Sequence, residues 1–174
     1  MAKADILAPF IRSHEGGFAN HPKDPGGATN KGVTLKTYQS FFPGKTVEDL
    51  KKITDQEWNH IFKSGFWDKV RADEIHDQSV ANLIADWAYN SGVGGAAKEI
   101  QKVLGVPVDG IIGPKTIEAI NTREPKELFA SLHQARGNYY RGLKNFSTFG
   151  KGWMNRLNSI GYGSLSHGGT TTKF

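Results

Sequence analysis

The residues with chemistry to offer lie close together, in residues 13–34. Glu15 is followed by Gly16, Gly17 and Phe18. A second carboxylate, Asp24, stands nine positions beyond Glu15 in the run Asp24-Pro25-Gly26-Gly27, and a hydroxyl follows at Thr29. Two carboxylates flanking a cleft are what glycoside hydrolysis requires: one protonates the leaving oxygen, and the other serves as nucleophile or activates water. Glu15 is expected at the end of a short amphipathic helix over residues 5–14, with Leu7, Phe10 and Ile11 on one side. Two glycines in the left-handed conformation would stop that helix. The negative end of its dipole disfavours a carboxylate and so favours the protonated acid that a general acid needs to be. Taken singly, each half is weak. A glutamate before Gly-Gly is most often an exposed helix end, and Asp-Pro-Gly-Gly is most often a turn.

Helices must position this stretch, because helix signals dominate after Thr34. Thr46 with Asp49 reads as an N-cap ahead of Val47, Leu50 and Ile53. Thr54 with Glu57 forms a capping box ahead of Trp58, Ile61 and Phe62, and Gly65 is expected to end that helix. Phe66 and Trp67 either plug the core or flank a groove, with the core reading ahead on residue type. Ser79 is the expected cap of a stronger helix whose buried stripe is Val80, Leu83, Ile84 and Trp87. On another face Asn82, Asp86 and Asn90 recur at i, i+4 and i+8. Such a stripe is usually a solvated face, but its paired donors and acceptors also suit the hydroxyls of a sugar.

Gly92-Val93-Gly94-Gly95 marks the expected boundary between two units, 1–92 and 93–162. In the second unit, Ala97, Ile100, Val103 and Leu104 form a helix ended by Gly105. Residues 106–113 read as a tight turn region, and Pro114 and Pro125 each open a further helix. Trp153, Met154, Leu157 and Ile160 indicate a last helix, and residues 163–174 read as a flexible tail rich in Gly, Ser and Thr. Strand signals are confined to Gly32-Val33-Thr34-Leu35 and the turn after Pro107. The expected fold class is mainly α.

A chain of 174 residues with 37% hydrophobic and 22% charged residues can bury a core as an ordinary globular protein. It has no cysteine, which excludes disulfides and thiolate metal sites and fits synthesis in a reducing cytoplasm. No signal-peptide pattern and no membrane-spanning run is apparent. The net charge of +5 favours polyanions such as cell wall. The basic residues are scattered, however, and form no nucleic-acid-binding arm, so no nucleic-acid partner is expected. The six histidines show no ligand spacing. No metal and no cofactor is expected, and a monomer is the default.

The whole string is more specific than its parts. Glu15-Gly16-Gly17-Phe18 and then Pro22-x-Asp24-Pro25-Gly26-Gly27-x-Thr29-x-x-Gly32-Val33-Thr34 closely resembles the signature of the glycoside hydrolase 108 family of bacterial and phage muramidases. The resemblance continues through Phe66-Trp67 and Asp86…Asn90-Ser91-Gly92. It then passes into Val108-Asp109-Gly110-Ile111-Ile112-Gly113-Pro114-Lys115-Thr116, similar to the predicted peptidoglycan-binding module usually fused to these enzymes. The resemblance covers roughly residues 5–162. It implies a lysozyme-like helical fold with a short loop/β segment after the first helix and a packed helical C-terminal module. It also implies an endolysin that hydrolyses the β-1,4 bond between N-acetylmuramic acid and N-acetylglucosamine in peptidoglycan glycan strands.

On this resemblance Glu15 is the catalytic acid, and Asp24 is expected to stabilise the transition state and, with Thr29, to position the attacking water. Asp86, Asn90, Trp67 and Asn30 are the expected glycan contacts. Two positions depart from the family pattern: Phe18 stands for a usual tyrosine, and His21 for a usual acid. With no signal peptide and no membrane insertion expected, holin-dependent release from the cytoplasm would bring the enzyme to the wall. Two alternatives stand beside the muramidase: a lytic transglycosylase, which needs one catalytic acid, and a non-catalytic wall-binding or secretion-accessory protein. The intact Glu15 argues against the latter.

Overall fold

The computed structural model describes residues 1–20 and 27–174. Helix α1 (Ala4–His14) buries Leu7, Ala8, Phe10 and Ile11, the side expected from their spacing. Its end differs from expectation. Glu15 itself turns extended (φ −81°, ψ 144°) while its N–H still donates to the Ile11 carbonyl. Gly16 and Gly17 are not among the glycines with positive φ. The helix therefore stops because Glu15 leaves it, and no left-handed glycine is required.

The chain next forms a small antiparallel sheet of β1 (Ala19–Asn20), β2 (Ala28–Asn30) and β3 (Val33–Thr34), in the order β1-β2-β3. Asn30 pairs with Val33 across a two-residue turn in which Lys31 (φ 52°) and Gly32 (φ 81°) are both left-handed. That is the signature of a type I′ hairpin, whose twist matches the strands it joins. Thr34 then caps α2 (Leu35–Phe41).

The cap read at Thr46 and the capping box read at Thr54/Glu57 are both formed, on α3 (Val47–Lys51) and α4 (Asp55–Phe62), and Thr46 with Asp49 proves to be a full capping box as well. Gly65 does not end α4. The chain runs on into a π-helical turn over Lys63–Trp67, where a Cβ on residue 65 would stand 3.2 Å from the Phe41 ring. The glycine there makes room for a neighbour instead of terminating a helix.

Helix α5 (Gln78–Ser91) is capped by Asp77, whose side chain accepts from the Val80 N–H. Ser79, the expected cap, lies inside the helix, where its hydroxyl accepts from the Gly163 N–H. Every residue from Ser79 to Ala88 is buried, so α5 is the central post of the molecule. Around it stand α1, α6 (Val93–Leu104), the π turn and α8 (Pro125–Arg141). Helices α7 (Pro114–Thr122) and α9 (Phe146–Asn158) complete the C-terminal part, with Pro114 and Pro125 each in the first turn of its helix and Gly105 left-handed at the end of α6. One apolar core runs through both parts, from Leu7 and Ile11 to Leu132 and Leu157. Among the described residues no helix is long and apolar enough to cross a membrane.

Two stretches depart from the expected extended or loose structure. The segment expected to be a flexible tail instead pairs into a sheet of β4 (Ile160–Gly161), β5 (Ser164–His167) and β6 (Thr170–Lys173), with β5 lying on α1. Its Gly, Ser and Thr content serves turns at Gly163 and Gly168-Gly169, all with positive φ. After Pro107 no strand forms. The buried Gln101 side chain organises that loop: its Nε2 donates to Asp109 Oδ1 and to the Ile111 carbonyl (both 2.9 Å), and its Oε1 accepts from the N–H groups of Asp109 and Gly110. Losing this set leaves several loop groups unpaired, at about 1–3 kcal/mol for a buried group. Gln101→Ala is therefore expected to lower stability in urea by that order while leaving the helix content of the folded state unchanged by circular dichroism. A wild-type unfolding midpoint would show that the loop holds itself.

Candidate active site

Glu15 sits where α1, the hairpin turn and α9 meet. Three contacts hold the turn in place. The Lys31 N–H donates to the Gly16 carbonyl (3.1 Å), while the Lys31 carbonyl accepts from Tyr89 Oη (2.7 Å) and Trp58 Nε1 (3.0 Å). Gly32 is thereby pressed against the acid. A Cβ there would lie 2.8 Å from both Glu15 Oε2 and Tyr89 Oη, so close approach as well as positive φ demands glycine. Burial pushes the Tyr89 hydroxyl well above its ordinary pKa, and the charge of Glu15 adds to the effect, so Tyr89 remains a proton donor at neutral pH.

The opposite side of Glu15 is charged. Arg156 on α9 donates from Nη1 to Glu15 Oε1 at 2.7 Å. The same guanidinium grips Asp86 on α5 through Nη2 (2.8 Å to Oδ1) and Nε (3.2 Å). Arg136 on α8 completes the cluster from Nη2 to Asp86 Oδ2 at 2.7 Å, and its Nε donates to Tyr140 Oη, which in turn donates to Asn90 Oδ1. The side chains of Asp86 and Arg136 are 0% exposed, that of Arg156 is 9% exposed, and Glu15 retains 17%. Burial alone would raise the pKa of Asp86, but the two guanidiniums outweigh it and hold the carboxyl below the usual aspartate range. Burial likewise works against charge on Arg156, and Asp86 and then Glu15 more than offset it. Glu15 therefore faces a fixed counter-charge that acts against the helix-end effect expected from sequence.

His14, next to the acid, packs between the rings of Phe10 and His167 at centroid distances of 4.3 and 4.6 Å. Burial lowers its pKa, against a raising contact with the Ser166 carbonyl 3.4 Å away. The terminal sheet thus braces the helix that ends in Glu15.

The structure treats the expected site residues unequally. Asp24 and His21 lie outside the described residues. Thr29 is half-buried on β2, with Ala28 and Asn30 turned into the core on either side of it. Three of the four expected glycan contacts are buried. Asp86 is sealed between two arginines. Trp67 is fully buried, with its Nε1 donating to Asp73 Oδ1 at 2.8 Å. Asn30 is 5% exposed, and its amide pins β2 to α3 through the carbonyls of Leu50 and Lys51. Only Asn90 keeps partial exposure. The polar stripe of α5 therefore faces protein: the partners of Asp86 and Asn90 arrive from α8 and α9, and Asn82 Oδ1 accepts from Gln78 on the same helix.

Sequence reading missed Arg156, Arg136 and Tyr89. One signal was available: Arg136 interrupts the apolar series Leu132-Arg136-Tyr140 on α8, just as Asp86 interrupts that of α5. Opposite charges in two buried stripes invite pairing.

A helical body that presents one partly exposed acid beside a small β-hairpin is a lysozyme-like fold. The Glycosyl hydrolase 108 family model matches residues 8–92, and the Predicted Peptidoglycan domain model matches residues 95–158. The solved structure of SagA from Brucella abortus is 38% identical over 90% of each chain, with a TM-score of 0.79. No curated protein sequence matches. The chain belongs to the glycosyl hydrolase 108 family, and is a glycoside hydrolase that acts on peptidoglycan.

The Asp86 cluster carries a stability prediction. Since the folded pKa of Asp86 is depressed, its contribution is fully present above the unfolded value of about 3.9 and is lost as pH falls through the folded value. Asp86→Asn leaves two buried guanidiniums without their counter-ion and is expected to cost about 3–5 kcal/mol at pH 7. Thermal unfolding as a function of pH checks this: the gap between wild type and Asp86→Asn should narrow in acid. A constant gap would contradict it.

Proposed function

We propose that this protein is an N-acetylmuramidase, cleaving the β-1,4 bond between N-acetylmuramic acid and N-acetylglucosamine with Glu15 as general acid. The observation that carries the reading is the state of Glu15: partly exposed at the end of α1, with Oε1 engaged by Arg156 and Oε2 set against the Gly32 backbone. An acid held this way presents one oxygen in a defined direction, which is what proton delivery to a glycosidic oxygen needs. In this reading Oε2 carries the proton. As the bond to the leaving sugar breaks, that proton passes to the bridging oxygen, and positive charge grows at the ring carbon and its ring oxygen. In this reading Asp24 has the role of stabilising that charge and, with Thr29, of positioning the water that completes hydrolysis. Asn90 is the side chain of the α5 stripe with access to a glycan. The net charge of +5 draws the enzyme to an anionic wall, where it works as a monomer after holin-dependent release as an endolysin.

Glu15→Gln keeps the shape and removes the proton. Clearing of purified peptidoglycan is expected to slow at least about 100-fold, the usual contribution of a general acid. Mass analysis of the wild-type digest should show ordinary reducing muramic acid ends. Equal clearing by both proteins would remove Glu15 from the mechanism, and 1,6-anhydro ends would replace the hydrolase with a transglycosylase.

A further inference from the structure

The family models divide the chain near residue 93, assigning the second part to a peptidoglycan domain, yet the charge beside Glu15 comes from that second part. We propose that Arg156, set by Asp86 and Arg136, is a positioning residue for the catalytic acid, so that the C-terminal helices complete the active site rather than only contribute to wall binding. The proposal rests on the reading of Glu15 as the acid.

The argument is one of geometry. A guanidinium is planar, with five N–H donors in fixed directions. In Arg156, Nε and Nη2 are committed to Asp86, at 3.2 and 2.8 Å to Oδ1, which fixes the plane of the group. The two N–H bonds of Nη1 are then fixed in that plane, and Glu15 Oε1 accepts from Nη1 at 2.7 Å. Asp86 cannot swing to release Arg156, because Arg136 holds its other oxygen at 2.7 Å from a wholly buried position on α8. Arg136 is itself tied through Tyr140 to Asn90, on the same helix as Asp86. Three helices thus converge on a single carboxylate. On the side of the other oxygen only a glycine fits, since a Cβ at Gly32 would lie 2.8 Å from Glu15 Oε2. A lysine at position 156 would keep the charge but could not reach both carboxylates in fixed directions, since its ammonium is a point charge on a flexible stem.

A salt bridge that only added stability would not care about this directionality. The full-length variants Arg156→Lys, Arg156→Ala and Glu15→Gln separate the two roles. They would be assayed on soluble, uncross-linked peptidoglycan strands by the appearance of new reducing ends. Arg156→Lys is expected to lose about 100-fold in kcat, the usual cost of misplacing a reacting group, with KM changed by less than about 3-fold because substrate contacts remain. Added guanidinium should restore at least about 10-fold of the kcat lost in Arg156→Ala and nothing in Glu15→Gln. Should Arg156→Ala fail to fold, the kcat of Arg156→Lys decides alone. Wild-type kcat in Arg156→Lys beside an inactive Glu15→Gln would overturn the positioning role and leave the acid assignment intact. Full activity in Glu15→Gln would instead remove the acid assignment on which the proposal stands.

Discussion

A carboxylate with no solvent exposure stands in the middle of the central helix, and much of the molecule is arranged to make that tolerable. Asp86 could not remain charged in an apolar core without partners, since the desolvation of an ion costs several kcal/mol. The partners are two arginines from helices that follow it by fifty and seventy residues. A cluster of this kind adds little net stability compared with a well-packed apolar core, but removing one member is costly. It therefore acts mainly as a constraint. Helices α8 and α9 must dock on α5 in the register that brings Arg136 and Arg156 to the same carboxylate.

The acid benefits from that constraint. Glu15 lies at the end of a helix, on a chain segment that would otherwise have considerable freedom. Its position is fixed on one side by a guanidinium that the core holds rigid, and on the other by a hairpin turn clamped by Tyr89 and Trp58. The terminal sheet adds a third brace through His14 and His167. Order at the acid thus derives from packing far from it, including residues that would be assigned to a binding module on sequence boundaries alone.

What was legible in the sequence followed from local physics. The cap at Thr46, the capping box at Thr54, the prolines opening α7 and α8 and the stop at Gly105 each depend on a few adjacent residues, and each formed as read. The misreadings share a cause. Asp86 and Asn90 on the α5 stripe read as a solvated or sugar-facing wall, and Trp67 and Asn30 were expected glycan contacts, whereas all of these but Asn90 are buried against protein. Their partners depend on tertiary docking, which helix periodicity does not report. The final segment failed in the opposite direction. Its Gly and Ser content suggested fraying, whereas the glycines supply the positive φ of two tight turns in a sheet.

The central claim is that the carboxyl at position 15, oriented from behind by Arg156, is the group that meets the scissile bond. The measurement that tests it most directly is a crystal structure of Glu15→Gln with a bound peptidoglycan glycan fragment. The account predicts the bridging oxygen between muramic acid and glucosamine within hydrogen-bond distance of the side chain at position 15, with Arg156 still held by Asp86. A glycan seated elsewhere, with its bridging oxygen out of reach of position 15, would contradict it.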